Sequence, residues 1–145
     1  MSTISPKSPV GINGIGRIGK LLVWVMSTKS DLEEIVISTG RKTGKSLEDL
    51  VTYLGYDSTY GPYARFLFGF QKEKAIEIKN DAIYMNGKKL VWLNESQFRA
   101  PGAIPWSRYG VEVVFDTTGK MTDPTSSEDN SLRGHLNNAN KVILT

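Results

Sequence analysis

Three glycines set the first chemical expectation. Gly14-Ile15-Gly16-Arg17-Ile18-Gly19 follows the apolar run Val10-Gly11-Ile12-Asn13 and opens a helical stretch. In that strand–turn–helix setting each glycine has its own task. Gly14 makes a tight turn, Gly16 lets backbone approach a pyrophosphate, and Gly19 seats the helix close to the sheet. The helix N-terminus then turns unpaired N–H groups and a positive dipole end toward the phosphates. Kinase glycine loops share this spacing, but the lysine strand, His-Arg-Asp and Asp-Phe-Gly motifs that accompany them are missing.

A second loop, Thr39-Gly40-Arg41-Lys42-Thr43-Gly44-Lys45-Ser46, competes for phosphate chemistry. It ends in Gly-Lys-Ser before a helix, as a P-loop does. That pattern needs glycine, four residues, then Gly-Lys-Ser/Thr. Here Gly40 stands one residue too close and Thr39 occupies the required position. An NTPase is therefore the weaker alternative, and a stand-alone, non-catalytic nucleotide-binding module is another. The loop also reads as a solvated basic connector or as part of a dinucleotide pocket.

Composition narrows the remaining chemistry. The 145 residues include no cysteine and one histidine, His135. No thiolate nucleophile, disulfide, cysteine-ligated zinc or iron–sulfur site can be built from them, and no two-histidine metal site. No metal and no catalytic residue is expected. The formal charge of +3, with 23% charged and 39% hydrophobic residues, describes an ordinary globular chain. The basic residues are scattered, so nucleic-acid binding is not expected as the primary role. No apolar run of membrane-spanning length and no signal peptide is present, which makes a cytoplasmic address the default expectation.

The elements that must position these residues follow from periodicity. Strands are expected at 10–13, 34–39, 111–117 and 141–145, apolar throughout as parallel strands covered on two faces are. Helices are expected at 20–26, 47–56 and 131–140, with Ser46 and Asp49 placed to cap the second. Short strands are expected at 65–70, 75–79, 82–85 and 89–93, with Asn86-Gly87 as a hairpin turn. The order gives a flexible start over residues 1–8 and one domain over 9–145. That domain is an α/β, doubly wound, mostly parallel sheet with helices on both faces and a small antiparallel or mixed strand insert at about 65–93.

Taken together, the residues resemble the N-terminal cofactor-binding part of glyceraldehyde-3-phosphate dehydrogenase, a Rossmann-type domain. The resemblance rests on Val10-Gly-Ile-Asn-Gly-Ile-Gly-Arg-Ile-Gly19, Tyr56-Asp-Ser-Thr59 with Gly61, Trp106, Thr117-Thr118-Gly119, and Gly134-His-Leu136 before Lys141-Val-Ile143. It implies NAD or NADP as cofactor. It implies that the backbone N–H groups of Arg17 and Ile18 face the pyrophosphate, that Asn13 steadies the turn, and that Thr117, Thr118 and Gly119 lie along the cofactor. Met121 falls where the family places an aromatic residue against adenine.

The departures carry further expectations. The family's thiol motif, Ser-Cys-Thr-Thr-Asn, lies downstream of residue 145, so the catalytic domain is expected to be absent from this chain and the chain alone inactive. The resemblance implies a glycolytic oxidoreductase and a homotetramer for the full enzyme. His135 sits in Gly134-His135-Leu136 and reads as structural. NAD-specific folds carry an acid about 20 residues after the glycine turn. Here Ser38-Thr39-Gly40-Arg41-Lys42 offers none, so Gly40, Arg41 and Lys42 are expected at the ribose, with the basic pair tolerant of a 2′-phosphate.

Overall fold

The computed structural model describes residues 7–39, 43–70 and 74–145. Gly40, Arg41 and Lys42 lie outside the described residues, as does the start of the chain up to residue 6. Nine strands and three α-helices occur among the described residues: β1 Val10–Asn13, α1 Arg17–Met26, β2 Glu34–Ser38, α2 Leu47–Leu54, β3 Tyr56–Asp57, β4 Gly61–Pro62, α3 Tyr63–Phe68, β5 Ile76–Lys79, β6 Ala82–Met85, β7 Lys88–Leu93, β8 Val113–Asp116 and β9 Lys141–Leu144.

Seven strands form one sheet in the order β5-β6-β7-β2-β1-β8-β9, and β3 pairs with β4 separately. The run β7-β2-β1-β8-β9 is parallel, while β6 runs against both of its neighbours. The expected insert is thus not a separate layer. Its last strand, β7, joins the main sheet beside β2, and the hairpins extend that sheet outward. Two left-handed pairs turn the chain there: Asn86-Gly87, as expected, and Asn80-Asp81, both at positive φ.

One face of the sheet carries Val10, Ile12, Ile35, Ile37, Ile83 and Leu90. Against them pack Val23 and Trp24 of α1, Leu50 and Leu54 of α2, and Tyr63 of α3. The opposite face, with Val36, Val114 and Leu93, is covered by Ile104, Trp106 and Val111 from a region of short 3-10 turns. Helical cover on the two faces is therefore of two kinds, α on one and 3-10 on the other.

Two expected elements take a different form. Residues 65–70 are not a strand; they belong to α3 and its end. Pro62 leads into the helix from extended backbone, and Gly69, at φ 65°, closes it. Tyr63 and Phe66 then share a helical face, with ring centroids 5.4 and 5.7 Å from Trp24. Packing on that indole decides a run whose apolar pattern fits either period. The expected helix at 131–140 is a 3-10 turn over Leu132–Asn137. Gly134 and the asparagines at 137, 138 and 140 are poor α-helix formers.

The capping box at α2 is present. Ser46 Oγ accepts from the Asp49 N–H at 3.2 Å, and Asp49 Oδ2 accepts from the Ser46 N–H at 3.2 Å. Ser46→Ala is expected to cost about 1 kcal/mol of unfolding free energy, measured by urea denaturation, with little change in slope.

Candidate functional site

The strand order changes direction at β1: β2 lies on one side of it and β8 on the other. Ligands of open α/β sheets sit in the crevice at the carboxyl ends of the strands at such a point. The residues found there are Asn13 and Asp116, direct neighbours in the β1–β8 register, followed by the glycine turn and by Thr117-Thr118-Gly119.

The glycine turn has two closed positions and one open one. Gly14 has φ +87°, and a Cβ on it would stand 2.9 Å from Thr118 Cγ2. At Gly19 a Cβ would lie 2.1 Å from the Gly14 carbonyl oxygen and 2.6 Å from Thr117 Oγ1. At Gly16 nothing lies within 4 Å. Gly16 is also the N-cap of α1, whose first turn carries neither a side-chain cap nor an acid. Its leading N–H groups, from Arg17 onward, keep their positive end uncovered. Open space in front of uncapped amides is the shape a pyrophosphate needs.

Surrounding side chains lock this turn from behind. Thr117 Oγ1 donates to the Gly14 carbonyl at 2.5 Å, and the Thr117 N–H to the Asn13 carbonyl at 2.9 Å. Tyr53 donates its hydroxyl to the Ile15 carbonyl. Lys20 is buried; its Nζ donates to the Tyr56 carbonyl at 2.8 Å and stands 3.2 Å from Asp57 Oδ2. Arg17 turns its guanidinium sideways to Ser58 Oγ at 3.1 Å, leaving only its backbone at the turn. The Thr59 N–H, opposed by burial and supported by the Tyr60 N–H and Lys20, holds the Asp57 carboxyl below its usual range. Ile18, 57% exposed, faces outward on the first turn of α1.

A buried polar chain underlies the same end of the sheet. Asp116 accepts four hydrogen bonds. The Thr118 N–H and Oγ1–H reach Oδ1 at 3.0 and 2.6 Å, and Asn13 Nδ2 and His135 Nε2 reach Oδ2, each at 3.0 Å. Burial raises the Asp116 carboxyl, but the bonds from His135, Thr118 and Asn13 outweigh it and hold it below the ordinary carboxylate value. The Trp106 indole N–H donates to His135 Nδ1 at 3.0 Å. Sequence reasoning missed Asp116, Trp106, Lys20 and Asp57 as site supports. The clue it had was the acid ending a buried apolar strand, where an unpartnered charge would be costly.

Asn13, Gly14, Gly16, Arg17, Ile18, Gly19, Thr117, Thr118 and Gly119 thus gather at one end of the sheet. Met121 follows two residues beyond Gly119 and is half-buried. At the tip of β2, Ser38 Oγ is buried with no hydrogen-bond partner, and Thr39 Oγ1 accepts from the Trp92 indole at 2.9 Å. The P-loop-like alternative is not favoured. Asp49 Oδ2 already accepts from the Lys45 and Ser46 N–H groups, so a carboxylate occupies the place an anion would take at α2. No group of three or more potential metal ligands occurs among the described residues, and no helix there is long and apolar enough to cross a membrane.

This sheet order, with a glycine turn opening onto an uncapped helix at the switch point, defines a Rossmann-type dinucleotide-binding domain. Residues 8–124 match the family model described as glyceraldehyde 3-phosphate dehydrogenase, NAD binding domain. The chain belongs to that family. It is 31% identical to glyceraldehyde-3-phosphate dehydrogenase 2 of Bacillus subtilis over 140 residues, covering 96% of this chain and 35% of that protein. It is 33% identical to the Salmonella typhimurium enzyme over 138 residues, 94% of this chain and 35% of that one. A chloroplastic glyceraldehyde-3-phosphate dehydrogenase of Arabidopsis thaliana is 31% identical over 144 residues, 99% of this chain and 30% of that protein. The chain spans about a third of the length of the curated relatives it matches.

Proposed function

We propose that this domain holds the nicotinamide cofactor of a phosphorylating glyceraldehyde-3-phosphate dehydrogenase, with the nucleotide lying across the ends of β1 and β8. The observation that carries this reading is the open face of Gly16 before the uncapped start of α1. The Arg17 and Ile18 amides donate to the pyrophosphate, and Asn13, Gly14, Gly16 and Gly19 shape the turn. Thr117, Thr118 and Gly119 present backbone to the adenosine and nicotinamide side, and Met121 lies against adenine. Gly40, Arg41 and Lys42 serve the ribose. Bound there, the nicotinamide would supply a hydride acceptor for oxidation of an aldehyde already held as a thiol adduct. The thiol that aldehyde oxidation by this route requires comes from another part of the protein, because none of these 145 residues is cysteine. The whole enzyme is a cytoplasmic homotetramer in this reading.

Calorimetric titration of the chain with NAD tests it. A dissociation constant on the order of 0.1 mM is expected, because the nicotinamide side is left partly to solvent and methionine stands in place of an aromatic ring. Folded protein that takes up no NAD at several times that concentration contradicts the reading.

Cofactor choice follows from the tip of β2. Ser38 and Thr39 bring no carboxylate to the ribose, and the next residues are Gly40, Arg41 and Lys42. Nothing there repels a 2′-phosphate, and the basic pair favours one. NADP is expected to bind at least as tightly as NAD at low salt, with the advantage shrinking as salt screens it. A tenfold preference for NAD at every salt concentration would rule this out.

A further inference from the structure

His135 is fully buried and touches neither the glycine turn nor the 117–119 loop by way of its backbone. Its ring nevertheless lies in a directed chain. An indole N–H only donates, so the bond from Trp106 leaves Nδ1 as acceptor and puts the imidazole proton on Nε2. That proton is donated to Asp116 Oδ2, the oxygen that Asn13 also binds. The other oxygen, Oδ1, takes both Thr118 donors. One carboxylate thus ties the residue before the glycine turn to the loop after β8. Among the described residues no lysine or arginine pairs with Asp116, so its rotation is set by these neutral donors.

We propose that His135 is a positioning residue for the nucleotide. Acting through Asp116, it fixes the separation of the glycine turn from the Thr117–Gly119 loop, and so sets affinity without touching the cofactor. This rests on the nucleotide-binding reading above. The polar chain places Trp106 as the group that selects the tautomer and Asp116 as the part that holds both loops.

Two substitutions separate the two bonds of the ring. His135→Gln sets an amide N–H where Nε2 stands, keeping donation to Asp116 and giving up Trp106. His135→Asn sets an acceptor where Nδ1 stands, keeping Trp106 and falling short of Asp116. In the 145-residue chain, hydrogen exchange of the Thr117 and Thr118 amides is expected to stay slow in the Gln variant and to quicken about tenfold or more in the Asn variant. The NAD dissociation constant is expected to stay within about threefold for Gln and to rise about tenfold for Asn. Equal behaviour of the two variants, or the reverse order, overturns the proposal. So does fast exchange in the Gln variant alone, which decides the matter even if the Asn variant does not fold. If the parent chain binds no NAD, the functional reading falls, while the exchange rates still decide whether His135 holds the two loops.

Discussion

Gly19→Ala is expected to lower the unfolding free energy by about 3 kcal/mol and to abolish nucleotide binding. The added methyl would stand 2.1 Å from the Gly14 carbonyl oxygen and 3.0 Å from its carbon, and backbone cannot swing aside as a side chain does. Helix α1 must then lift from β1, which opens the turn it shares with Thr117. Alanine's better helix propensity returns only about 1 kcal/mol. For a domain of this size the loss lowers the melting temperature by roughly 6–12 °C. Gly16→Ala is the matched control, since its methyl meets nothing within 4 Å. Its fold should stay within about 0.5 kcal/mol of the parent while NAD affinity drops about tenfold, because the methyl fills the space assigned to the pyrophosphate. Equal stability of the two alanine variants in urea would show that the turn is not closed as described.

Asp116→Ala is expected to cost about 3–5 kcal/mol, because it strands donors from Asn13, Thr118 and His135 in a buried site. The same carboxyl makes stability depend on pH, and the sign follows from its lowered pKa. A carboxyl that binds its proton less readily in the folded state stabilises the fold fully above its unfolded value of about 3.9. That contribution is lost as pH falls through the lower folded value. Urea midpoints measured from pH 6 to pH 2 should therefore fall steeply below about pH 4, and Asp116→Ala should flatten part of that slope. An unchanged slope in the variant would mean that other carboxylates carry the acid limb.

Much of this arrangement is written locally. Gly14, Gly16 and Gly19 announce their turn by spacing, Ser46 and Asp49 announce the start of α2, and Asn86-Gly87 announces a hairpin. Each is a short-range rule satisfied within a few residues. Where local rules tie, distant partners decide. The segment Tyr63–Phe68 has an apolar pattern open to either period, and the Trp24 indole, far away in sequence, makes it helical. The turn at Asn80-Asp81 escapes a glycine-based search because asparagine and aspartate also tolerate left-handed backbone. The site was legible where it is backbone and glycine. Its supports were not, because Asp116, His135 and Trp106 acquire their roles only when three separate stretches meet.

The register of β1 against β8 also governs the order of events during synthesis. Asn13 and Asp116 stand 103 positions apart in sequence, and His135 joins them from 122 positions beyond Asn13. A chain emerging from the ribosome can form β1, α1 and β2 early, since those elements are close in sequence. It cannot bring His135 to Asp116 until residue 135 has cleared the exit tunnel, at roughly 5–20 residues per second of elongation. Until β8, at residues 113–116, has emerged, β1 has an unpaired edge on that side, the kind of edge that recruits other chains. Of the described strand pairs, β1 and β8 are the farthest apart in sequence, so the crevice between them forms late in synthesis.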